Sequence, residues 1–452
     1  MSSFALSTVP PFLDGVYLGI NAVPDAWLLI DCPSGCFCKC ERIALNHDLT
    51  STLFDPMGEH RIVQSGVTFS DFAMGNEPLL ARLMDQLTAR GLPGAVFVAQ
   101  ASSVALASQD MSALTERLSR RADVPVIPIA SETFEGDWID GFERFGEAVV
   151  AALSAIRGGD HKGTGAPGKN KVSIVGYLAD RLEADHRANI DELRRLLEAL
   201  GLELQTVLAG GAPLGDLGRL FDSSLLLAFP YAGSTARRVA AESGAEVLEV
   251  ELPVGVGGTA RFIEAVAGAT GRERQADLLM RREIPLCVPA IERAADRFLQ
   301  DTKIAIAADP ALAAGLIRFA ADLGTEVSVV AARTRSAART IGLESAPEAT
   351  KKRTLLYDAT PSDLAAAITG METGERPQVL VATTMELDVA CDLAMGFVEL
   401  GYPSYMVHAL APRPSLGFAG ALELCQELVR ARQSAEYEQS RRAAATPRET
   451  LP

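Results

Sequence analysis

A chain of 452 residues, 48% hydrophobic and 22% charged, has room for two to four domains and the composition of a globular protein with large buried sheets. A formal charge of −16 disfavours nucleic acid and anionic membrane as main partners, its simplest reading being solubility, and no run of about 18 apolar residues offers a membrane span. The start, "MSSFALSTVPPFLDG", has no basic region and no long apolar core, so no signal peptide is expected and the expected location is cytoplasmic; an odd count of seven cysteines argues against a disulfide framework there.

In chain order, the first strand-like run is "AWLLIDC" (26–32). A Pro-Ser-Gly turn follows it, and then "CFCKC". Cys32, Cys36, Cys38 and Cys40 thus fall within nine positions. "AVFVAQA" (95–101) is a second apolar run, followed by the helix-like "SALTERLSRRA" and the strand-like "PVIPIA". The stretch "IRGGDHKGTGAPGKNK" (156–171) is rich in Gly and Lys, has no apolar period, and reads as a linker. After it come "KVSIVGYL" (171–178) and an amphipathic segment. Its Ile190, Leu193, Leu196, Leu197 and Leu200 keep helical spacing, with Gly201 as C-cap. "SLLLAFP", "STARRVAAESG" and "AEVLEVELP" continue the alternation. A third block opens at "TKIAIAAD" (302–309) and runs through "TEVSVVAA", "RTLLYDA" and "QVLVATT". From Ser434 the tail is charged and Ala-rich.

Short β-rich runs alternating with helices of ten to fifteen residues predict parallel sheets with right-handed crossovers. The expected fold is α/β: three doubly wound, Rossmann-like domains. The expected boundaries are 1–158, a linker at 159–170, 171–300, 301–430, and a partly disordered tail at 431–452. Ligands of such domains bind beyond the carboxyl ends of the strands, which makes an interdomain cleft the default pocket.

Several chemistries lack their motifs. No Walker A sequence is present, because Gly168-Lys169 is followed by Asn170. "VGVGGTARF" (254–262) reads either as an anion-binding loop at a helix start or, more simply, as a Gly-rich strand-to-helix turn. The five histidines show no metal-type pairing, and no G-x-S-x-G elbow occurs. The cysteine spacing C-x3-C-x-C-x-C is neither a zinc knuckle nor a bacterial ferredoxin run. If extended, Cys36, Cys38 and Cys40 share one face; if a helix begins near Cys36, only Cys36 sits at the turn. Burial as small hydrophobes accounts for one or two cysteines and poorly for four. Cys287, Cys391 and Cys425 stand in apolar or helical contexts and read as core.

"AWLLIDCPSGC", "SGVTFSDFAMG" (65–75), "VSIVGYL", "DELRRLLEALGLELQTVLAGGAPLGDL", "FPYAGSTARRVAAESGAEVLEVELPVGVGGTARFI", "KIAIAADPALAAGLIRFAADLGTEV" and "GYPSYMVHALAPRPSLGFAGALEL" (401–424) form an ordered set. Together they resemble the nitrogenase component 1 family: nitrogenase α and β subunits, cofactor-assembly scaffolds and dark-operative protochlorophyllide reductase subunits. The resemblance covers about residues 10–430. It implies an oxidoreductase subunit that pairs with a homologous chain, holds an interfacial iron–sulfur cluster (4Fe–4S or P-cluster-like), and reduces a small-molecule substrate. It also implies a separate P-loop, ATP-dependent iron–sulfur reductase, with ATP bound only there.

Cluster-bearing relatives supply three cysteines. This chain has "VPPFLDG" at the first position and Ser102-Ser103 at the third, so only Cys36 carries over as the metal ligand. It resembles the one-ligand partner in the protochlorophyllide reductases, unless Cys32, Cys38 and Cys40 replace the missing thiols. "AFPYAGS" lacks the cofactor cysteine of the α-type nitrogenase subunit, whereas His408 falls close to that family's cofactor histidine. His408 is therefore the expected catalytic residue. A scaffold without turnover and a cluster-free α/β binding protein are the alternatives.

Overall fold

The computed structural model describes residues 9–34, 60–91, 93–105, 110–130, 136–158, 168–176, 186–341, 343, 353–407 and 410–445. Contacts divide the chain into two compact units, one of Pro10–His186 with Gly201–Val250, the other of Met1–Val9, Arg187–Leu200 and Glu251–Pro452.

The first unit carries two parallel sheets. One has the order β2-β1-β3-β4, with β1 Ala26–Asp31, β2 Ile62–Gln64, β3 Ala95–Gln100 and β4 Val126–Pro128. All six residues of β1 are buried, as are all six of β3. That explains why both read as unbroken apolar runs: a parallel sheet is covered on both faces. Alternate side chains take opposite sides. Leu28, Ile30, Phe97 and Ala99 enter one core, and Trp27, Leu29, Val96 and Val98 the other. Each large side chain buried in this way contributes about 1.5–3 kcal/mol.

The other sheet has the order β6-β5-β7-β8, with β5 Gly168–Val175, β6 Glu203–Val207, β7 Ser223–Ala228 and β8 Glu246–Glu249. The two sheets share a core, in which Phe145 and Val149 lie with Ile30 and Phe97 on one side and Leu226 and Ala236 on the other. Small residues allow the close approach this needs. The helices Phe12–Asn21 and Trp138–Arg157 meet so tightly that a Cβ at Gly15 would collide with the Trp138 carbonyl, and one at Gly141 with the Phe12 carbonyl.

The turn between Phe12–Asn21 and β1 is closed by Arg61. Its buried guanidinium donates to Ile20 O at 2.9 Å, to Val23 O at 3.1 Å and to Ala26 O. These include carbonyls that a helix end leaves without intrahelical donors. Beside it, His60 Nδ1 accepts the Ile62 N–H at 2.9 Å. Burial, and then the Arg61 charge, hold the His60 ring down to about 4 from 6.5, so it is neutral near pH 7. In the window between those values the unfolded chain binds the extra proton, so stability falls as pH drops from 6.5 toward 4. For this half-buried side chain the screened loss is about 1–2 kcal/mol. His60→Gln should flatten the melting-temperature profile across that window. An unaltered slope in thermal scans would assign the acid sensitivity to other groups.

The second unit carries one five-stranded parallel sheet, order β11-β10-β9-β12-β13, with β9 Lys303–Ala308, β10 Glu326–Ala332, β11 Thr354–Tyr357, β12 Val379–Ala382 and β13 Gly396–Glu399. Asp309 caps the helix Pro310–Asp322 through Ala311 N and Leu312 N at 3.0 and 3.1 Å, with proline at the first helical position. Thr360 and Asp363 form a capping box on Pro361–Thr369. The three parallel sheets agree with the doubly wound α/β class expected from the sequence.

Contacts divide the stretch 171–300 between the two units. The helix His186–Ala199 buries Ile190, Leu193, Leu196 and Leu197, as its periodicity predicts, and Gly201 follows with φ at 75°. Asn189 of this helix accepts from Ser415 N at 2.8 Å and Leu416 N at 3.0 Å. Arg195 bridges Glu192 and Glu283 at 2.7 and 2.9 Å. These contacts join it to the helix Glu273–Ala294 and to the residues leading into the helix Gly417–Ala445. The last helix continues past Ser434, with Ala431 and Ala435 buried. The Gly-rich segment at 254 opens the helix Gly255–Thr270. Gly255 has a φ of 72°, and a Cβ there would press on Phe319 at 2.5 Å, so this is a packed turn.

Candidate functional site

The carboxyl end of the first sheet gathers polar side chains that its apolar strands exclude elsewhere. Asp31 ends β1 and pairs in register with Gln100, which ends β3. Ser65, just past β2, donates through Oγ to Asp31 Oδ1 at 2.9 Å. Asn76, at the start of the helix Glu77–Arg90, donates through Nδ2 to Asp31 Oδ2. All four residues are buried. Burial pushes the Asp31 carboxyl above the usual carboxylate range, against hydrogen bonds from Ser65, Gln100 and Asn76 that pull it down.

The next residue is Cys32. Its N–H donates to Ser65 Oγ at 3.0 Å, and its carbonyl accepts the Val67 N–H at 3.0 Å. Its thiol lies 3.9 Å from Gln64 Oε1, and the residue is wholly buried in the core that contains Ile30 and Ala101. Pro33 and Ser34 then lead to the cysteine-rich segment. Cys36, Cys38 and Cys40 lie outside the described residues, as does His408. Of the five expected site residues, Cys32 alone is described. Among the described residues no three His, Cys, Asp or Glu side chains converge as a metal site.

The remaining described thiols differ from one another. Cys287 and Cys425 are buried and Cys391 is exposed. Burial pushes the Cys425 thiol up to about 11 and raises that of Cys287, so both stay protonated near neutrality and are poor metal donors.

At the carboxyl end of the second sheet, a polar cavity of about 340 Å³ is lined by Asp140, Arg144, Tyr231, Ser234, Arg237 and Glu249, among others. Its cations are paired locally: Arg237 with Glu249 at 2.6 Å, and Arg144 with Glu147 at 3.1 Å.

At the carboxyl end of the third sheet, Arg333 pairs with Glu386 at 2.6 Å, both side chains being 2% exposed. Thr383 Oγ1 donates to the other Glu386 oxygen at 2.7 Å. Glu399, ending β13, accepts from Tyr405 N at 3.0 Å, Met406 N at 3.2 Å and Thr384 Oγ1. On the far side of His408, Arg413 pairs with Glu423 and Glu427 at 2.7 and 2.6 Å. The described backbone on both sides of His408 is therefore fastened to the fold. Sequence reasoning missed Asp31, Ser65, Gln100, Arg333 and Glu386. The available signal was a polar residue closing an apolar run, as in "LLID", "FVAQ" and "VVAAR".

A family model described as nitrogenase component 1 type oxidoreductase matches residues 13–433. A subunit of the light-independent protochlorophyllide reductase from Methylobacterium radiotolerans is 28% identical over 392 residues, 84% of this chain and 71% of that protein. A nitrogenase molybdenum-iron protein beta chain from Frankia alni is 25% identical over 377 residues, 77% of this chain and 69% of its own length. Among solved structures, nitrogenase Cp1 at pH 6.5 matches with a TM-score of 0.79 at 17% identity, covering 100% of this chain and 97% of that one, a likeness of fold. No helix among the described residues is long and apolar enough to cross a membrane. With a family match running from the first helix into the last, on three parallel sheets, the chain belongs to the nitrogenase component 1 type oxidoreductases.

Proposed function

We propose that this chain is one subunit of a nitrogenase-like component 1 oxidoreductase that acts with a homologous subunit and an ATP-dependent reductase. The observation that carries the reading is the family match over residues 13–433, which spans the cysteine-rich segment following β1. The donor chemistry fits an iron–sulfur cluster: four thiols in nine positions follow a strand whose carboxyl end is a ligand-facing end. Cys36 is the proposed ligand, with Cys38 and Cys40 as neighbours able to compensate for the family thiols this chain lacks. Cys32, enclosed in the core, supports the segment rather than the metal. When bound, such a cluster supplies one-electron transfer. The thiolates that would hold it are this chain's own.

Anaerobic co-purification with the homologous subunit and the reductase tests this. A brown, oxygen-sensitive complex with near-equal iron and sulfide, and reductase-dependent turnover, is the expected result. Protochlorophyllide, named in relatives of this chain, is the first substrate to assay. Iron without turnover would point to the assembly-scaffold reading. A colourless, iron-free complex would overturn both.

His408 is proposed to donate a proton to, or hydrogen-bond, the substrate. His408→Ala should lower turnover by about a hundredfold with iron content and melting temperature unchanged. Wild-type turnover, or iron loss equal to that of a Cys36 variant, would remove His408 from the substrate side.

A further inference from the structure

The helix Trp138–Arg157 buries Trp138, Phe142, Phe145 and Val149. Its Asp140, Glu143, Arg144 and Glu147 keep the i, i+3, i+4, i+7 spacing of one face, and all four line the cavity of about 340 Å³ at the carboxyl end of the second sheet. Tyr231, Arg237 and Glu249 line it from the segments that follow β7 and β8. Ligands of doubly wound sheets bind at this end of the strands, and the volume falls at the small end of the range for small-molecule sites, about 300–1,000 Å³. Tyr231 holds a φ of 69°, a costly backbone for a bulky residue. A Cβ at Gly233 would sit 3.0 Å from Glu249 Oε1 and 3.1 Å from Arg237 Nη1, so glycine leaves room for that ion pair.

The lining chooses the ligand. Apart from the Tyr231 ring, no apolar side chain among the described residues lines the cavity, which excludes a ligand with a large apolar body. Its charges come as opposite pairs. Arg237 and Glu249, 2.6 Å apart, are 63% and 67% exposed, so this pair is weakly held and parts at little cost. Arg144 and Glu147, 3.1 Å apart, are more enclosed at 35% and 23%, so leaving one of them without an opposite charge costs more. Asp140 is engaged in capping its own helix through Asp137 N at 2.7 Å. A ligand with a carboxylate alone would draw an arginine from its glutamate, and an amine alone would do the reverse. A molecule carrying both charges replaces both partners at once. We propose that this cavity is a binding site for a small dipolar molecule of the amino-acid class, its carboxylate held by Arg237 and Arg144 and its ammonium by Glu249 and Glu147. The site stands apart from the cluster reading above and needs neither a cluster nor a partner subunit.

The test screens the full chain against the twenty amino acids by thermal shift, and measures each hit by calorimetric titration beside its deaminated and its decarboxylated counterpart. For alanine these are propionate and ethylamine. At least one amino acid should bind, and both counterparts should bind about tenfold more weakly or worse. Arg237→Met and Glu249→Gln should each weaken the hit about tenfold. Both side chains are largely exposed, so the fold should tolerate the changes. Arg281→Met removes an exposed charge from a residue that does not line the cavity and should leave affinity unchanged. No binding by any amino acid at millimolar concentration would overturn the proposal. So would a counterpart with a single charge that binds as tightly as the hit, or wild-type affinity in Arg237→Met and Glu249→Gln. A loss in Arg281→Met equal to theirs would reduce the effect to net charge and overturn it as well.

Discussion

Glu386→Ala is expected to destabilise the unit containing the third sheet by about 3–5 kcal/mol, the largest single loss anticipated outside the proposed site. Arg333 and Glu386 are each 2% exposed and 2.6 Å apart, and Thr383 occupies the second carboxylate oxygen. Removing the carboxylate takes an oppositely charged, hydrogen-bonded partner away from a guanidinium in a low-dielectric setting. Taking both charges out of water was already costly, so the pair need not stabilise the fold relative to apolar residues. This separates two measurements. In urea unfolding the single variant should lose midpoint steeply, while the double variant Arg333→Met/Glu386→Leu should recover much of the loss. A single variant within about 1 kcal/mol of wild type would mean that the cation finds water or another acceptor, and the buried pair would lose its structural importance.

Cys36→Ala should remove most of the iron from the purified complex, whereas Cys287→Ala and Cys425→Ala should leave it near the wild-type level. The contrast is chemical. A metal ligand must be a thiolate. Cys287 and Cys425 are buried with raised thiol pKa values, that of Cys425 to about 11. Cys36 follows the carboxyl end of β1, where ligands of doubly wound sheets bind. Cys36→Ser, which retains a weak donor, should keep more iron than Cys36→Ala. Equal iron in the Cys36, Cys287 and Cys425 variants would dismiss the assignment. Selective loss in Cys38→Ala or Cys40→Ala would move the ligand assignment along the sequence.

Much of the architecture was legible along the chain because each element obeys a local rule. "AWLLID", "AVFVAQ" and "KIAIAA" are continuous apolar runs, and parallel strands covered on both faces require them. The helix at His186 announced itself by leucines at helical spacing, four of which are wholly buried. Local patterns are weaker at assigning partners. The same helix reads as part of the 171–300 stretch, and nothing in its periodicity shows that Asn189 also binds Ser415 N and Leu416 N, more than 200 residues along the chain.

The site divides in the same way. Clustered thiols and a histidine in the closing segment are visible in the sequence because their chemistry is rare and their spacing is local. The buried polar group at the end of the first sheet is not. Asp31, Ser65, Asn76 and Gln100 are ordinary polar residues scattered over 70 positions, and nothing in their spacing links them. Parallel pairing sets Asp31 beside Gln100, and the crossovers bring Ser65 and Asn76 to the same sheet end. The sequence by itself determined the class of fold. Only the tertiary structure decided which polar groups share a buried environment, because burial, hydrogen bonding and the raised Asp31 pKa depend on distances in space rather than along the chain.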